Sequence, residues 1–270
     1  MQLISRVRAL SRNRTRPSPG TDRVPQAAQE AREASPAGGR SVPWVPVVVA
    51  ATATAVFIAL TVAVTTNPSL AFDASAFKVA DDLRAPWLDT AAKVVTKLGL
   101  IAVVGSAVLL TAWLLIRHRY RIRAAALAAG AALAWVSVWI TKTLVDRPRP
   151  THPLVHTSGQ SYPSAHAANS VGWLAIAIAL TLVIPNRVAR IAAVTVGALL
   201  ALLVGLTRIY LRAHYASDVL AGEALAVAMY ALAAIAAVTW QACREPATND
   251  PGAANRWAAD TEPPLDPPAR

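Results

Sequence analysis

Three stretches of the chain place polar side chains beside long apolar runs, where a charged group is costly to bury. They read KTLVDRPRP at residues 142–150, YPSAH at 162–166 and TRIYLRAHYASD at 207–218. Lysine and arginine supply positive charge, while two histidines and an aspartate supply the groups that proton transfer and nucleophilic attack require. Together these residue types indicate a pocket for phosphate. The residues concerned are Lys142, Arg149, His166, Arg208, His214 and Asp218.

The basic residues of these stretches suit a phosphate ester, whose concentrated negative charge needs donors that stay charged. The guanidinium groups of Arg149 and Arg208 can each hold two oxygens at once. Lys142 adds a compact charge at the end of an apolar run, along which its stem can lie. A lone basic residue at a membrane boundary usually only sets orientation, but three beside two histidines favour a ligand pocket. Ser164 can donate its hydroxyl to a phosphoryl oxygen or be only the N-cap of the helix that follows, and the two roles are compatible.

His214 and Asp218 are four residues apart, so they share one face of a helix if that helix begins near Ala213. The carboxylate can then accept the imidazole N–H. This pairing would fix the tautomer and support positive charge while the other ring nitrogen attacks phosphorus. His152 and His156 have the same spacing, but Pro150 and Pro153 argue against a helix there. We interpret those two histidines as ordinary loop residues and predict no metal site.

The composition is that of a membrane protein. Of the 270 residues 55% are hydrophobic and 15% are charged, and the mean hydropathy is +0.41, which predicts a polytopic chain rather than a soluble domain. The formal charge of +11 is concentrated in the N-terminal arm and between apolar runs, as the positive-inside rule requires, so we predict no nucleic-acid partner. The single cysteine, Cys243, excludes an intrachain disulfide.

Six apolar segments approach the ~20 residues that a helix needs to cross a bilayer, and they lack the alternation of a barrel strand. We predict an all-α protein with six transmembrane helices, flanked by disordered tails. The six segments are 44–66, 96–116, 122–141, 167–184, 190–207 and 218–241. The predicted division is a basic arm at 1–42, a membrane domain at 43–243 and a Pro- and Ala-rich tail at 244–270.

The connections between segments predict the orientation. Arginines dominate the second-to-third and fourth-to-fifth connections, so both should be cytoplasmic together with the termini. The first-to-second connection is acidic and should lie outside, either as a short interfacial helix or as a packed loop. The three polar stretches then face the outside together. The residues used here are Arg117, Arg119, Arg121, Arg123, Arg187 and Arg190 for the cytoplasmic connections, and Asp73, Asp81, Asp82 and Asp89 for the outer one.

The spacing of these residues resembles that of a known family. Lys142 is followed after six residues by Arg149-Pro150, then come residues 163–166, PSAH, and then residues 207–218, in which TR is followed by His214 and Asp218. This pattern resembles the type 2 phosphatidic acid phosphatase (PAP2) superfamily, whose three blocks occur in this order. The similarity extends over about 44–240 and leaves both tails unmatched.

The resemblance implies a membrane lipid phosphatase without cofactor or metal. It implies that His214 is the nucleophile that forms a phosphohistidine, that Asp218 supports it, and that His166 gives a proton to the leaving oxygen. Two histidines with opposite protonation needs predict a bell-shaped pH profile. Two positions depart from the family: Ala165 replaces a glycine, which would strain a turn that needs positive φ, and Thr207 replaces a serine. The implied phosphate-binding residues are Lys142, Arg149, Ser164 and Arg208.

The lipid itself stays open at this point. Polyprenyl diphosphates, phosphatidate and phosphatidylglycerol phosphate all combine an apolar tail with the required head group, and the outward-facing site slightly favours an undecaprenyl-type diphosphate. One alternative is a phosphotransferase, in which a sugar or lipid hydroxyl discharges the phosphohistidine instead of water. Another is a non-catalytic lipid-binding scaffold, which the intact histidine pair and carboxylate disfavour. Vanadate-dependent haloperoxidases share the constellation but are soluble. The sequence does not determine the oligomeric state or a role for Glu223.

Overall fold

The structure is a computed structural model that describes residues 44–117 and 120–244, and the regular elements in those ranges are helices. The predicted basic arm, almost all of the predicted tail and Arg119 lie outside the described residues. The helices are α1 (Trp44–Thr66), α2 (Ala71–Asp82), α3 (Pro86–Val95), α4 (Ile101–Ile116), α5 (Arg121–Val145), α6 (Ala165–Leu180), α7 (Arg187–Tyr210) and α8 (Ala216–Arg244), with a 3₁₀ helix (Thr96–Gly99) between α3 and α4.

Five stretches of the described chain are long and apolar enough to cross a membrane, and α6 is a shorter apolar helix of 16 residues. Large apolar side chains are exposed along them, including Leu109, Leu144 and Val188. Such exposure suits contact with hydrocarbon rather than water. The prediction of an all-α, multi-pass membrane fold is confirmed. The five stretches are Trp44–Thr66, Pro86–Ile116, Arg121–Val145, Arg187–Tyr210 and Ala216–Arg244.

The acidic connection between the first two predicted segments is helical. Of the two alternatives, a short helix or a packed loop, the structure has helices α2 and α3, and α3 leads through the 3₁₀ helix into α4. Asp73 of α2 is buried at 3% exposure, whereas Asp81 and Asp82 are exposed. The acidic connection therefore also has a structural role, because the carboxylate of Asp73 lies in the protein interior.

Small residues let the central helices approach closely, as is common where helices associate in a membrane. Helix α8 contacts α1, α5 and α6, and α6 also packs along α7. A side chain at Gly197 of α7 would collide with the backbone of α6, since a Cβ there would lie 2.7 Å from the Trp173 carbonyl oxygen. Alanine, valine and leucine fill the α5–α6–α8 contact: Ala134, Val138, Ala168, Val171, Leu225 and Ala226.

Local signals at the helix ends help to bring three helices together at one site. Helix α5 ends at Val145, and its C-cap, Asp146, adopts the left-handed conformation (φ 46°) and donates its N–H to the Lys142 carbonyl. Helix α6 begins after Ser164, whose hydroxyl accepts from the Ala167 N–H at 3.4 Å. The carboxylate of Asp218, in the first turn of α8, accepts the N–H of Tyr215 at 3.0 Å.

Candidate active site

Backbone hydrogen bonds tie the three polar stretches to one another. The Ser161 N–H donates to the Arg147 carbonyl at 2.8 Å, which joins the stretch after α5 to the one before α6. The Ser164 N–H donates to the Asp218 carbonyl at 2.9 Å, which joins the start of α6 to the start of α8. The His214 N–H donates to the Arg208 carbonyl at 3.2 Å. Segments that are distant in the sequence are therefore joined into one surface.

Several hydrogen bonds hold Arg149 beside His214. Its Nε and Nη2 donate to the carbonyls of Ser158 and Gly159, at distances of 2.8–3.1 Å. Its Nη1 donates to the Ala213 carbonyl at 2.8 Å and lies 3.2 Å from Nε2 of His214. Burial lowers the pKa of the Arg149 guanidinium, and Asp218 opposes that shift. The guanidinium is thus fixed in place where an anion bound to His214 would meet it.

Lys142 and Arg208 add positive charge from helices on either side. Lys142 is buried on α5 and its Nζ donates to the Gln160 carbonyl at 2.7 Å. Arg208 is buried on α7, where its Nη1 donates to the Thr96 hydroxyl at 2.9 Å. Its Nε has no hydrogen-bond partner among the described residues, so a donor remains for a ligand. Buried cations with unused donors indicate an anion site rather than a structural ion pair.

The hydrogen bonds of His214 define its tautomer. Its Nδ1 lies 2.8 Å from the Ser161 carbonyl, which can only accept, so Nδ1 carries the proton. The lone pair is therefore on Nε2, the nitrogen that faces Arg149. Burial lowers the pKa of His214 to about 4, although the Asp218 carboxylate opposes that shift. The imidazole is therefore neutral at ordinary pH, and its unprotonated Nε2 accepts a hydrogen bond from Arg149 at 3.2 Å.

Asp218 stands behind His214, but its geometry differs from the expected one. Its Oδ2 is 3.5 Å from Nδ1, farther than the Ser161 carbonyl, which accepts the imidazole N–H. Helix α8 begins at Ala216 rather than near Ala213, so His214 lies in the turn before the helix and not on its face. The carboxylate therefore supports the ring by charge, while a backbone carbonyl fixes the tautomer.

His166 and Ser164 lie at the amino-terminal end of α6. His166 is half-buried, and the charges of Lys142, Arg149 and Arg208 act on its imidazole together with His214. Ser164 is fully buried and is the N-cap of α6, which is compatible with the predicted contact of its hydroxyl with a phosphoryl oxygen. This helix end adds the positive pole of a helix dipole beside the basic side chains.

The two departures from the family pattern leave this geometry intact. Ala165 is the first residue of α6 and has no positive φ, so the anticipated strain is absent. The Thr207 hydroxyl donates within its own helix to the Val204 carbonyl at 2.6 Å.

Comparison with known proteins identifies the domain. A sequence model of the PAP2 superfamily matches residues 122–242. The chain carries a PAP2 superfamily domain. Phosphatidylglycerophosphatase B of Bacillus subtilis (strain 168) is 29% identical over 187 residues, which are 65% of this chain and 88% of the relative.

Two solved structures resemble this chain in fold. The crystal structure of a transmembrane PAP2-type phosphatidylglycerolphosphate phosphatase from Bacillus subtilis has a TM-score of 0.62 and 27% identity, and the match covers 68% of this chain and 94% of that one. Aquifex aeolicus LpxE has a TM-score of 0.50 and 23% identity, with 62% and 96% covered, which supports the fold alone. The predictions of the family and of an enzyme of the phosphatase class are confirmed.

Sequence reasoning missed four residues around Asp218. Arg147 makes ion pairs with Asp218 at 2.6 Å and with Asp73 at 2.9 Å. Ser161 donates its hydroxyl to Asp218, and Ser217 receives a hydrogen bond from Arg147 at 2.7 Å. Arg147 and Arg149 are each followed by a proline, and this repeated Arg-Pro pair is the one feature of the sequence that could have drawn attention to Arg147. Nothing in the sequence connects Asp73 to the site.

The remaining ionisable candidates lie apart from this chemistry. Among residues 44–117 and 120–244 no group of three histidine, cysteine, aspartate or glutamate side chains has the geometry to hold a metal. Glu223 of α8 faces Gly205 of α7, since a Cβ on that glycine would lie 2.5 Å from its Oε1. That oxygen has no hydrogen-bond partner among the described residues. The contact explains why position 205 is a glycine but assigns no role to Glu223.

Proposed function

We propose that this PAP2 protein removes phosphate from lipid phosphates or diphosphates by transferring it to His214. The observation that carries the proposal is the orientation of the imidazole. A proton on Nδ1 bound to a backbone carbonyl leaves the lone pair on Nε2, which is 3.2 Å from the guanidinium of Arg149. A phosphoryl group bound to Arg149 would meet a nucleophile beside it.

The binding of the phosphoryl group follows from the fixed charges. Lys142, Arg149 and Arg208 would neutralise the equatorial oxygens, and the start of α6 at Ser164 would add amide donors. These groups are held before substrate arrives, so little reorganisation accompanies charge development in the transition state. We assign no step to a metal or cofactor, because the side chains supply the charge that phosphoryl transfer needs.

The reaction proceeds in two steps. First, Nε2 of His214 forms a bond to phosphorus while the bond to the ester oxygen breaks, and His166 gives its proton to that oxygen. The Asp218 carboxylate offsets the positive charge of the phosphorylated imidazole. Second, water attacks phosphorus, the nitrogen–phosphorus bond breaks and the proton of the water passes to His166. Phosphate and the free imidazole are released.

A cavity in the bundle has the volume and the lining to hold an apolar substrate tail. It has a volume of about 580 Å³ and lies between α4, α5, α6 and α8. Ala168 and Asn169 line it, and both lie within one helical turn of His166. An apolar chain held here could remain in the hydrocarbon while its phosphate entered the basic pocket. Its lining is mostly leucine, valine and alanine, with Trp135.

We also propose an orientation of the protein in the membrane and a first lipid substrate to test. Arg117 and Arg187 lie in connections that we assign to the cytoplasm, which places the termini there and the active site on the other side. The Bacillus relatives carry phosphatidylglycerol phosphate in their names, so this lipid is the first to test. Phosphatidate and undecaprenyl diphosphate are the other two candidates.

The test is release of phosphate from these three lipids by the full chain in detergent with EDTA present. Wild type should release phosphate from at least one, and His214→Ala should lose at least about 1,000-fold in kcat. A ³²P label from the substrate head group should be trapped on wild type but not on His214→Ala. Phosphate transferred to an added alcohol with little free phosphate would favour the phosphotransferase. Full activity in His214→Ala would contradict the proposed nucleophile.

A further inference from the structure

Arg147 is the centre of a buried ionic cluster behind the proposed nucleophile. Its side chain is 4% exposed, that of Asp73 is 4% exposed and that of Asp218 is fully buried. Nη1 donates to Asp218 Oδ1 at 2.6 Å and Nη2 donates to Asp73 Oδ2 at 2.9 Å. The guanidinium also lies over the ring of Tyr215, with its carbon 4.0 Å from the centroid. One cation is thus shared between two carboxylates from different helices.

Asp73 reaches this cluster from α2, which is outside the residues matched to the PAP2 superfamily. Its Oδ1 accepts the backbone N–H of Ser217 at 2.8 Å and its Oδ2 accepts the hydroxyl of the same residue at 2.7 Å. Ser217 is in the first turn of α8, where free amides and the helix dipole favour a carboxylate. Asp73 therefore caps α8 from another helix, immediately before Asp218.

The cluster determines how Asp218 presents its two oxygens. Arg147 occupies Oδ1, so Oδ2 is turned toward the Ser161 hydroxyl, the Tyr215 N–H at 3.0 Å and the His214 ring at 3.5 Å. Without Arg147, the buried carboxylate would lose an ion pair and could rotate. The position of His214 depends on the same cluster, because its Nδ1 donates to the Ser161 carbonyl.

We propose that Asp73, Arg147 and Ser217 form a clamp that positions Asp218 and, through it, His214 for phosphoryl transfer. These are positioning residues, since they act through Asp218. The inference rests on the proposed function of His214. It extends the active site to α2, beyond the residues that the superfamily model covers.

The clamp predicts that substitutions of its two charged members shift the pKa of His214 in opposite directions. Asp73→Asn removes a negative charge and leaves Arg147 to Asp218 alone, so less negative charge remains to support a protonated ring. Arg147→Gln removes the positive charge and leaves two carboxylates nearby. The acid limb of kcat/KM should move to lower pH in Asp73→Asn and to higher pH, by about one unit, in Arg147→Gln.

The other charges that face His214 are unchanged in these variants, so the comparison is internally controlled. They are Arg149 from the loop after α5, His166 from α6, Arg208 from α7 and Asp218 from α8, with Lys142 of α5 acting on His166.

The experiment compares the full-length variants in detergent, with the most active lipid of the panel. Both substitutions should lower kcat by about 10- to 100-fold and change KM by less than about threefold, because the phosphate-binding side chains stay in place. The double variant should return the acid limb toward that of wild type. Asp82→Asn is the matched control, since it removes an exposed carboxylate from the same helix and should leave both kcat and the pH profile unchanged.

Thermal unfolding separates positioning from a general loss of fold. If Arg147→Gln does not fold, Asp73→Asn and Ser217→Ala still test the clamp, since each keeps the ion pair between Arg147 and Asp218. Wild-type kcat and an unshifted acid limb in Asp73→Asn, with His214→Ala inactive, would overturn the clamp and leave the proposed function standing. Equal shifts in one direction for Asp73→Asn and Arg147→Gln would also overturn it. Activity in His214→Ala would instead contradict the proposed function, and the clamp's role with it.

Discussion

Gly222 offers the sharpest test of how packing positions the active site. It lies on α8 one turn after Asp218, where the helix touches the turn that begins α6. A Cβ at this position would lie 2.4 Å from the Ser164 carbonyl oxygen and 3.3 Å from the Ala168 nitrogen. The neighbours are backbone atoms, so no side chain can rotate away. Gly222→Ala must therefore separate the two helices.

The size of the effect follows from that distance. A carbon and a carbonyl oxygen normally approach no closer than about 3.3 Å, so the helices must part by about 1 Å. Such overpacking costs about 1–3 kcal/mol and should lower Tm by about 2–12 °C. The Ser164 N–H donates to the Asp218 carbonyl at 2.9 Å, so the same shift disturbs the active site. A displacement of this size should lower kcat by about 100-fold.

Gly105→Ala is the matched control because it adds the same methyl group to an apolar helix. No atom lies within 4 Å of a Cβ at Gly105 on α4, so the substitution should only gain the better helix propensity of alanine, about 0.5–1 kcal/mol. Thermal unfolding in detergent and phosphate release would be measured for both variants. Equal Tm and kcat for Gly222→Ala and Gly105→Ala would refute the packing explanation.

Four further predictions concern the site and its support. Arg149→Lys should lose about 100-fold in kcat/KM, because an ammonium cannot contact the Ala213 carbonyl, the loop carbonyls and a phosphoryl oxygen together; wild-type kinetics would contradict this. The kcat/KM of wild type should fall below about pH 4, where His214 becomes protonated, and an acid limb near pH 6.5 would show that burial does not lower that pKa. Between pH 6.5 and 4 the unfolded chain takes up this proton and the folded chain does not, so the free energy of unfolding should decrease as the pH falls through that range, which denaturant titrations would measure. Tyr162→Phe should lower the free energy of unfolding by about 1 kcal/mol because it removes the phenol's hydrogen bond to Thr61 of α1, and kcat should stay unchanged because that bond holds no residue of the site; a loss of kcat would contradict this.

Much of this arrangement was predictable because local patterns carry it. Apolar runs of about the length that crosses a bilayer as a helix admit few structures, so the helical membrane fold followed from composition. The spacing of the three polar stretches pointed to residues that the structure does bring together, such as Arg149 and His214 at 3.2 Å. The limits of α6 and α7 differed from the predicted segments by two to four residues, because capping by Ser164 and Asn186 sets their starts.

The parts that were not predicted depend on contacts between distant residues. Asp73 is 74 residues from Arg147 in the chain, and an aspartate in an acidic connection gives no sign that it is buried. The acceptor for the His214 N–H is a backbone carbonyl at Ser161, and any residue type supplies one. Sequence spacing suggested Asp218 for that bond, but spacing cannot show that α8 starts two residues after the histidine.

The shortness of α6 has a consequence for where hydrolysis takes place. Its 16 residues span about 24 Å, less than the ~30 Å thickness of a hydrocarbon core. A helix of that length with its far end at the opposite membrane surface has its amino end several ångströms below the near one. In the proposed reaction, a lipid phosphate would then meet the basic residues at or below the boundary of the hydrocarbon core, and its apolar tail would not need to leave the leaflet.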